Sequence, residues 1–269
     1  MRGAATDGRP AARPDALRLA DLTTGFGGGR HRRIVSAGLS AALPAGSITA
    51  LIGTNGAGKS TLLRTLSGLL PPLGGDVCWL GRPLADYSAR ALARTVAVVL
   101  TRRSAAPGLT VADVARMGRM PYTGFSGRLS AHDRDVADRA LELAGAERLR
   151  DRDVASLSDG ELQRAMIAKA LAQETPAILL DEPTAFLDFP GKVDVLRLLR
   201  RLAADHGKTV LFSSHDLELT FQTVERLWLL APDGIAEGSP RQLAAEGRLE
   251  HFFRAAGVSF DRSELRYRL

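Results

Sequence analysis

Short apolar runs of strand length alternate with amphipathic, helix-length segments along most of this chain. The strand-like runs fall at residues 17–22, 34–42, 47–52, 77–80, 96–100, 178–180, 209–213 and 227–230, and alternation of this kind predicts an α/β fold with a largely parallel central sheet. Between residues 100 and 178 the pattern turns wholly helical, with helices predicted at 111–117, 130–143 and 159–173. This reads as a helical insertion in an α/β domain. The second helix opens on Ser130 as N-cap with Asp133 in its first turn, placing acceptors where backbone N–H groups lack partners.

Composition narrows the class without naming the chemistry. At 269 residues and 45% hydrophobic content the chain is long enough to bury a real core as one large or two small units. No uninterrupted apolar run reaches the roughly 18 residues of a spanning helix, and residues 1–14 lack the apolar stretch of a secretory signal. They read as a disordered leader, and a cytoplasmic location is expected. Cys78 is the one cysteine, so no intramolecular disulfide forms, and its neighbours Val77, Trp79 and Leu80 suggest an inert buried thiol. The net charge of +6 comes with 4 Lys among 36 basic residues and scattered Arg. That pattern suits a solvated surface better than a polyanion-binding face, and no nucleic-acid partner is expected.

The most specific signal is Gly53-Thr54-Asn55-Gly56-Ala57-Gly58-Lys59-Ser60, placed directly after an apolar strand and before the helix starting near Thr61. It fits the phosphate-loop pattern, in which glycines let backbone N–H groups converge on phosphates, Lys59 meets the β/γ oxygens and Ser60 offers a hydroxyl to Mg²⁺. Residues 177–180 form an apolar strand ending in Asp181 and Glu182. Acids at a strand end are commonly solvated or cap the next helix. Beside a phosphate loop they take another reading, with Asp181 in the Mg²⁺ shell and Glu182 polarising the attacking water.

Leu157-Ser158-Asp159-Gly160-Glu161, just before a helix, resembles the signature sequence of ATP-binding-cassette (ABC) ATPases. The order of motifs strengthens the resemblance, with a segment similar to the D-loop at Ala185-Phe186-Leu187-Asp188 and a switch-like His215 in Ser213-Ser214-His215-Asp216. It covers nearly the whole chain from about residue 17. The resemblance implies a P-loop NTPase fold with an N-terminal antiparallel β subdomain and an inserted helical subdomain at about 103–172. The ATPase domain would span 15–248, and 249–269 would form a folded C-terminal extension. It also implies ATP and Mg²⁺ as cofactors, catalysis by Glu182 and His215, stacking of adenine on Phe26, and a head-to-tail homodimer. There Ser158 and the N–H groups around Gly160 would meet the γ-phosphate held by the other copy.

Residues 118–125 and the Ser-Asp-Gly form of the signature are similar to ATPases of iron-siderophore, haem and cobalamin importers. This implies a peripheral location on the cytoplasmic membrane face, integral-membrane permease partners and, indirectly, an extracytoplasmic substrate-binding protein. Tyr122 and Phe125 are expected either to line a groove for a permease helix or to belong to the helical subdomain's own core. The contrasting function class is a non-transport ABC ATPase acting on nucleic acid or the ribosome, but such proteins usually carry long insertions or fused cassettes. One position departs from the family: Arg102 stands where a Gln is usual. A guanidinium has donors and no acceptor, so it cannot ligate a cation.

Overall fold

The structure, a computed structural model, describes residues 13–101, 107–124, 127–255, 259–261 and 266–268. The chain begins with strands β1 (Asp15–Phe26), β2 (Arg33–Pro44) and β3 (Ile48–Gly53), then helix α1 (Lys59–Leu66), β4 (Gly74–Trp79), β5 (Arg82–Pro83), α2 (Ala89–Leu92) and β6 (Val96–Val99). Helices α3 (Val111–Met117), α4 (Ala131–Ala144) and α5 (Asp159–Ala172) follow, and then β7 (Ala177–Leu180), α6 (Phe189–Ala204), β8 (Thr209–Ser213), α7 (Leu217–Thr223), β9 (Arg226–Ala231) and β10 (Gly234–Gly238). The chain closes with α8 (Pro240–Ala245), α9 (Arg248–Ala255) and the antiparallel pair β11 (Ser259–Asp261) and β12 (Arg266–Arg268).

A six-stranded sheet runs in the order β10-β9-β3-β8-β7-β6. All neighbours are parallel except β10, which turns back antiparallel on β9. A four-stranded sheet, β2-β1-β4-β5, is antiparallel throughout. Successive strand residues point to opposite faces, and here that period divides two cores. Leu51, Leu179, Leu211 and Trp228 join Leu17, Leu39 and Leu62 between the two sheets, where α1 also lies. Ile52, Ile178, Phe212 and Leu229 face the other way, toward Leu196 and Leu199 of α6 and the helical insertion. The central strands are thus apolar on both faces, as a buried parallel sheet requires.

In the insertion, α3, α4 and α5 each open on a reciprocal N-terminal cap, by Thr110 with Asp113, Ser130 with Asp133, and Ser158 with Glu161. An added Cβ at Gly118 would sit 2.2 Å from the Lys169 carbonyl oxygen, so only glycine lets the end of α3 lie on the backbone of α5.

Three expectations need correction, and one strand went unseen. Cys78 is only partly buried, because the strand alternation that turns Val77 and Trp79 inward points it the other way. Leu80 lies beyond β4 in a turn, with φ +51° and 53% exposure. Arg13 and Pro14, assigned to the leader, are tied to the β2–β3 turn: Arg13 Nη1 donates to Gly46 O at 2.9 Å, and Pro14 O accepts from Ala45 N at 2.8 Å. Residues 1–12 lie outside the described ones. Strand β10 carries too little apolar pattern to be seen in sequence, and its pairing with β9 creates it. At the C-terminal end, Leu249 is fully buried in the larger core and Phe252 packs against it.

Candidate functional site

The phosphate loop leaves the fully buried strand β3 and enters α1 through Gly58, whose φ of +98° is in the left-handed region. A side chain at that position would also meet Val35 Cγ1 at 2.6 Å and Ser36 Oγ at 2.9 Å, so β2 sits close against the loop and only glycine fits. Ser36 Oγ fastens the contact by donating to Ala57 O at 3.1 Å, while Ala57 N donates to Thr54 O at the same distance. No side chain caps the start of α1, which leaves its first-turn N–H groups turned to the loop's concavity.

Lys59 is folded back into the loop, where its Nζ donates to the carbonyls of Gly53 at 2.8 Å and Thr54 at 3.2 Å. Burial pushes its pKa down, against the opposing pull of the Glu182 and Asp181 charges. The lysine is therefore near both acids and holds a place in the cradle that phosphate oxygens could take over.

Strand β7 delivers those acids. Asp181 is 3% exposed, and its backbone N donates to Val99 O at 2.8 Å, which fixes it against β6. Ser213, the last residue of β8, holds both acids at once: its Oγ donates to Asp181 Oδ1 at 2.8 Å and accepts from Glu182 N at 2.8 Å. Glu182 has φ +49°, a conformation costly for a side-chain-bearing residue and maintained where surrounding contacts over-determine it. Its Oε1 lies 2.7 Å from His215 Nε2. Next to His215, Asp216 pairs with Lys192 of α6 at 2.9 Å.

One pocket gathers Phe26, Asn55, Gly56, Gly58, Lys59, Ser60, Thr61, Glu182 and His215, together with Arg33 and Val35 of β2. Phe26 is 42% exposed, which suits a stacking platform and not a core plug. Arg33 was missed in the sequence. It is the cross-strand partner of Phe26 in the β1–β2 ladder, a relation that depends on register and leaves no local signal. Ser213 was also missed as a functional residue, because its two contacts arise only when β7 and β8 become neighbours.

The signature segment is not among the residues lining this pocket. Ser158 caps α5, Leu157 packs against the larger core, and Glu161 returns its carboxylate to Ser158 N at 2.8 Å. Asp188 is likewise elsewhere, capping α6 by accepting from Gly191 N at 3.0 Å. Arg102 lies outside the described residues, as does Phe125. Tyr122 is partly buried, with contacts both inside the subdomain and at its boundary with the sheet. Its ring meets the guanidinium groups of Arg119 at 4.0 Å and Arg94 at 4.5 Å, and its hydroxyl donates to Gln173 O at 3.0 Å. Ser60 and Asp181 offer oxygen donors of the kind a hard divalent cation takes, with phosphate oxygens and water completing the shell.

Comparison with known proteins bears on the family and the fold. The sequence model of the ABC transporter family matches residues 37–185. The chain is 36% identical over 239 residues to the achromobactin transport ATP-binding protein CbrD of Dickeya dadantii, covering 88% of this chain and 87% of that one. It is 38% identical over 243 residues to the hemin import ATP-binding protein HmuV of Burkholderia thailandensis, covering 83% and 89%. Among solved structures, the ATP-binding cassette MJ0796, a dimer in a post-hydrolysis state bound to ADP and phosphate, superposes with a TM-score of 0.72 at 26% identity, covering 83% of this chain and 98% of that one.

Proposed function

This chain belongs to the ABC transporter family, and from that premise we propose that it is the ATP-hydrolysing subunit of an importer for iron chelates, ferric siderophores or haem. ATP hydrolysis coupled to transport follows from the family. The iron-chelate class is supported by the relatives, since the achromobactin and hemin proteins are both transport subunits. The same relatives favour transport over a role on nucleic acid or the ribosome. The observation that carries the chemistry is the single pocket holding Phe26, the phosphate loop, Glu182 and His215.

In this reading adenine stacks on Phe26, and the loop from Gly53 through Thr61 wraps the phosphates. Lys59 exchanges its carbonyl partners for phosphate oxygens. Ser60 and Asp181 would hold Mg²⁺, which supplies charge neutralisation to the phosphates when bound. Glu182 polarises the attacking water, and His215 fixes the direction of its carboxylate. Asp188, at the start of α6, would sit at the dimer interface in the D-loop position.

The pocket lacks the signature residues, which fits a site completed in trans. Leu157, Ser158, Asp159, Gly160 and Glu161 of a second copy would close over the γ-phosphate, in an isologous arrangement about a two-fold axis. Among the described residues no helix is long and apolar enough to cross a membrane, so the transported solute requires a separate permease. The chain would then sit peripherally on the cytoplasmic face and depend indirectly on an extracytoplasmic binding protein. We assign residues 15–248 to the ATPase domain, about 103–172 to its helical subdomain and 249–269 to a C-terminal extension.

Uptake of radiolabelled ferric siderophore and haem, in source cells lacking the gene, tests the solute class. Restoration of one of these by the wild-type gene, and not by Lys59→Ala, is expected. Normal uptake of both without the gene would contradict the assignment.

A further inference from the structure

The signature segment poses an electrostatic problem. Asp159 and Glu161 place two carboxylates in the first turn of α5, where the reading above, on which this inference rests, brings the γ-phosphate of the facing copy. Acids at a helix N-terminus favour the helix, yet they repel an incoming anion. Glu161 Oε2 also accepts from Ser158 Oγ at 2.9 Å and Ser158 N at 2.8 Å, so it occupies the hydroxyl proton that a phosphate oxygen needs. The other oxygen, Oε1, is 2.7 Å from Arg152 Nη1, while Arg152 Nη2 donates to Ser156 O at 2.9 Å.

Arg152 therefore spans the loop just before the signature and the acid inside it. Both side chains are partly exposed, 44% for Arg152 and 32% for Glu161, and exposed pairs of this kind contribute little to fold stability. Their effect on a multiply charged anion grows once an interface closes and water leaves. We infer that Arg152 is a positioning residue for ATP-driven dimerisation: its guanidinium cancels the Glu161 charge and anchors that carboxylate, so that Ser158 can turn its hydroxyl to the γ-phosphate.

The test uses full-length Glu182→Gln, which should retain bound ATP, and reads the dimer dissociation constant by sedimentation in Mg²⁺ and ATP. Arg152→Gln in that background should weaken the dimer about tenfold, because each dimer contains two such sites and the penalty counts twice. Adding Glu161→Gln, which keeps the cap but removes its charge, should return the constant to within about threefold of the parent. Raising the salt should narrow the gap. A merely structural Arg152 would lower the thermal midpoint of the free monomer, and the second substitution would not rescue dimerisation. Where Arg152→Gln folds poorly, Arg152→Lys keeps the charge and should dimerise like the parent. Parent-like dimerisation of Arg152→Gln, absence of rescue, or loss in Arg152→Lys equal to that in Arg152→Gln overturns the inference. A Glu182→Gln parent that never dimerises overturns the signature reading itself, and this inference with it.

Discussion

His215 Nε2 lies 2.7 Å from Glu182 Oε1, and the carboxylate it meets belongs to a residue whose left-handed backbone is pinned by Ser213. The imidazole thus completes the orientation of an acid that is already held from below. His215→Ala should lower kcat by about 10²-fold, the lower end of the range for losing an acid–base partner, with ATP affinity nearly unchanged. Single-turnover hydrolysis alongside equilibrium nucleotide binding separates these effects. A matching loss of affinity would show that His215 serves mainly to bind.

Arg33 faces the same pocket as Phe26 from the neighbouring strand. With a nucleotide bound in that pocket, its guanidinium would be a donor for ribose or phosphate oxygens. Arg33→Ala should raise KM for ATP about fivefold, roughly 1 kcal/mol, while kcat stays near wild type. A drop in kcat at unchanged KM would assign Arg33 to the chemical step instead.

Asp133 gives the helical insertion a pH signature. Hydrogen bonds from the Ser130 hydroxyl and N–H, and then from Arg119, lower its carboxyl pKa from 3.8 to about 2. A depressed pKa stabilises the fold above the ordinary carboxylate range, and that contribution is lost as pH falls toward 2. Asp133→Asn leaves the buried Arg119 without a charged partner on that side, and should cost about 3 kcal/mol at pH 7. Urea melts at several pH values should show the gap between wild type and variant constant above about pH 5 and shrinking below pH 4. A gap independent of pH would remove the ion pair as its cause.

Much of this was readable from the chain because it is local. The strand, glycine loop and helix from Ile48 to Leu66 are contiguous, and the cap made by Ser130 and Asp133 spans one helical turn. The parts that could not be read depend on which elements become neighbours. The strand order β3-β8-β7 departs from chain order, so nothing near Ser213 announces that it will hold Asp181 and Glu182 together. The pairing of Phe26 with Arg33 rests on hairpin register. The contacts of Tyr122 with Arg94 and Arg119 likewise depend on which helices meet and leave no local signal. The side-chain roles at the signature came from resemblance alone, since a Ser-Asp-Gly turn is an ordinary helix cap.

The most direct measurement is phosphate release from Mg²⁺-ATP by the purified chain, compared with Glu182→Gln under identical saturating conditions and with ATP binding measured in parallel. The wild type should release phosphate, and the variant should bind ATP as tightly while releasing phosphate roughly 10² to 10⁴ times more slowly. Equal rates in the two proteins would contradict the assignment of Glu182 as the residue that activates water, and no release from the wild type alone or with its permease would contradict ATP hydrolysis at this site.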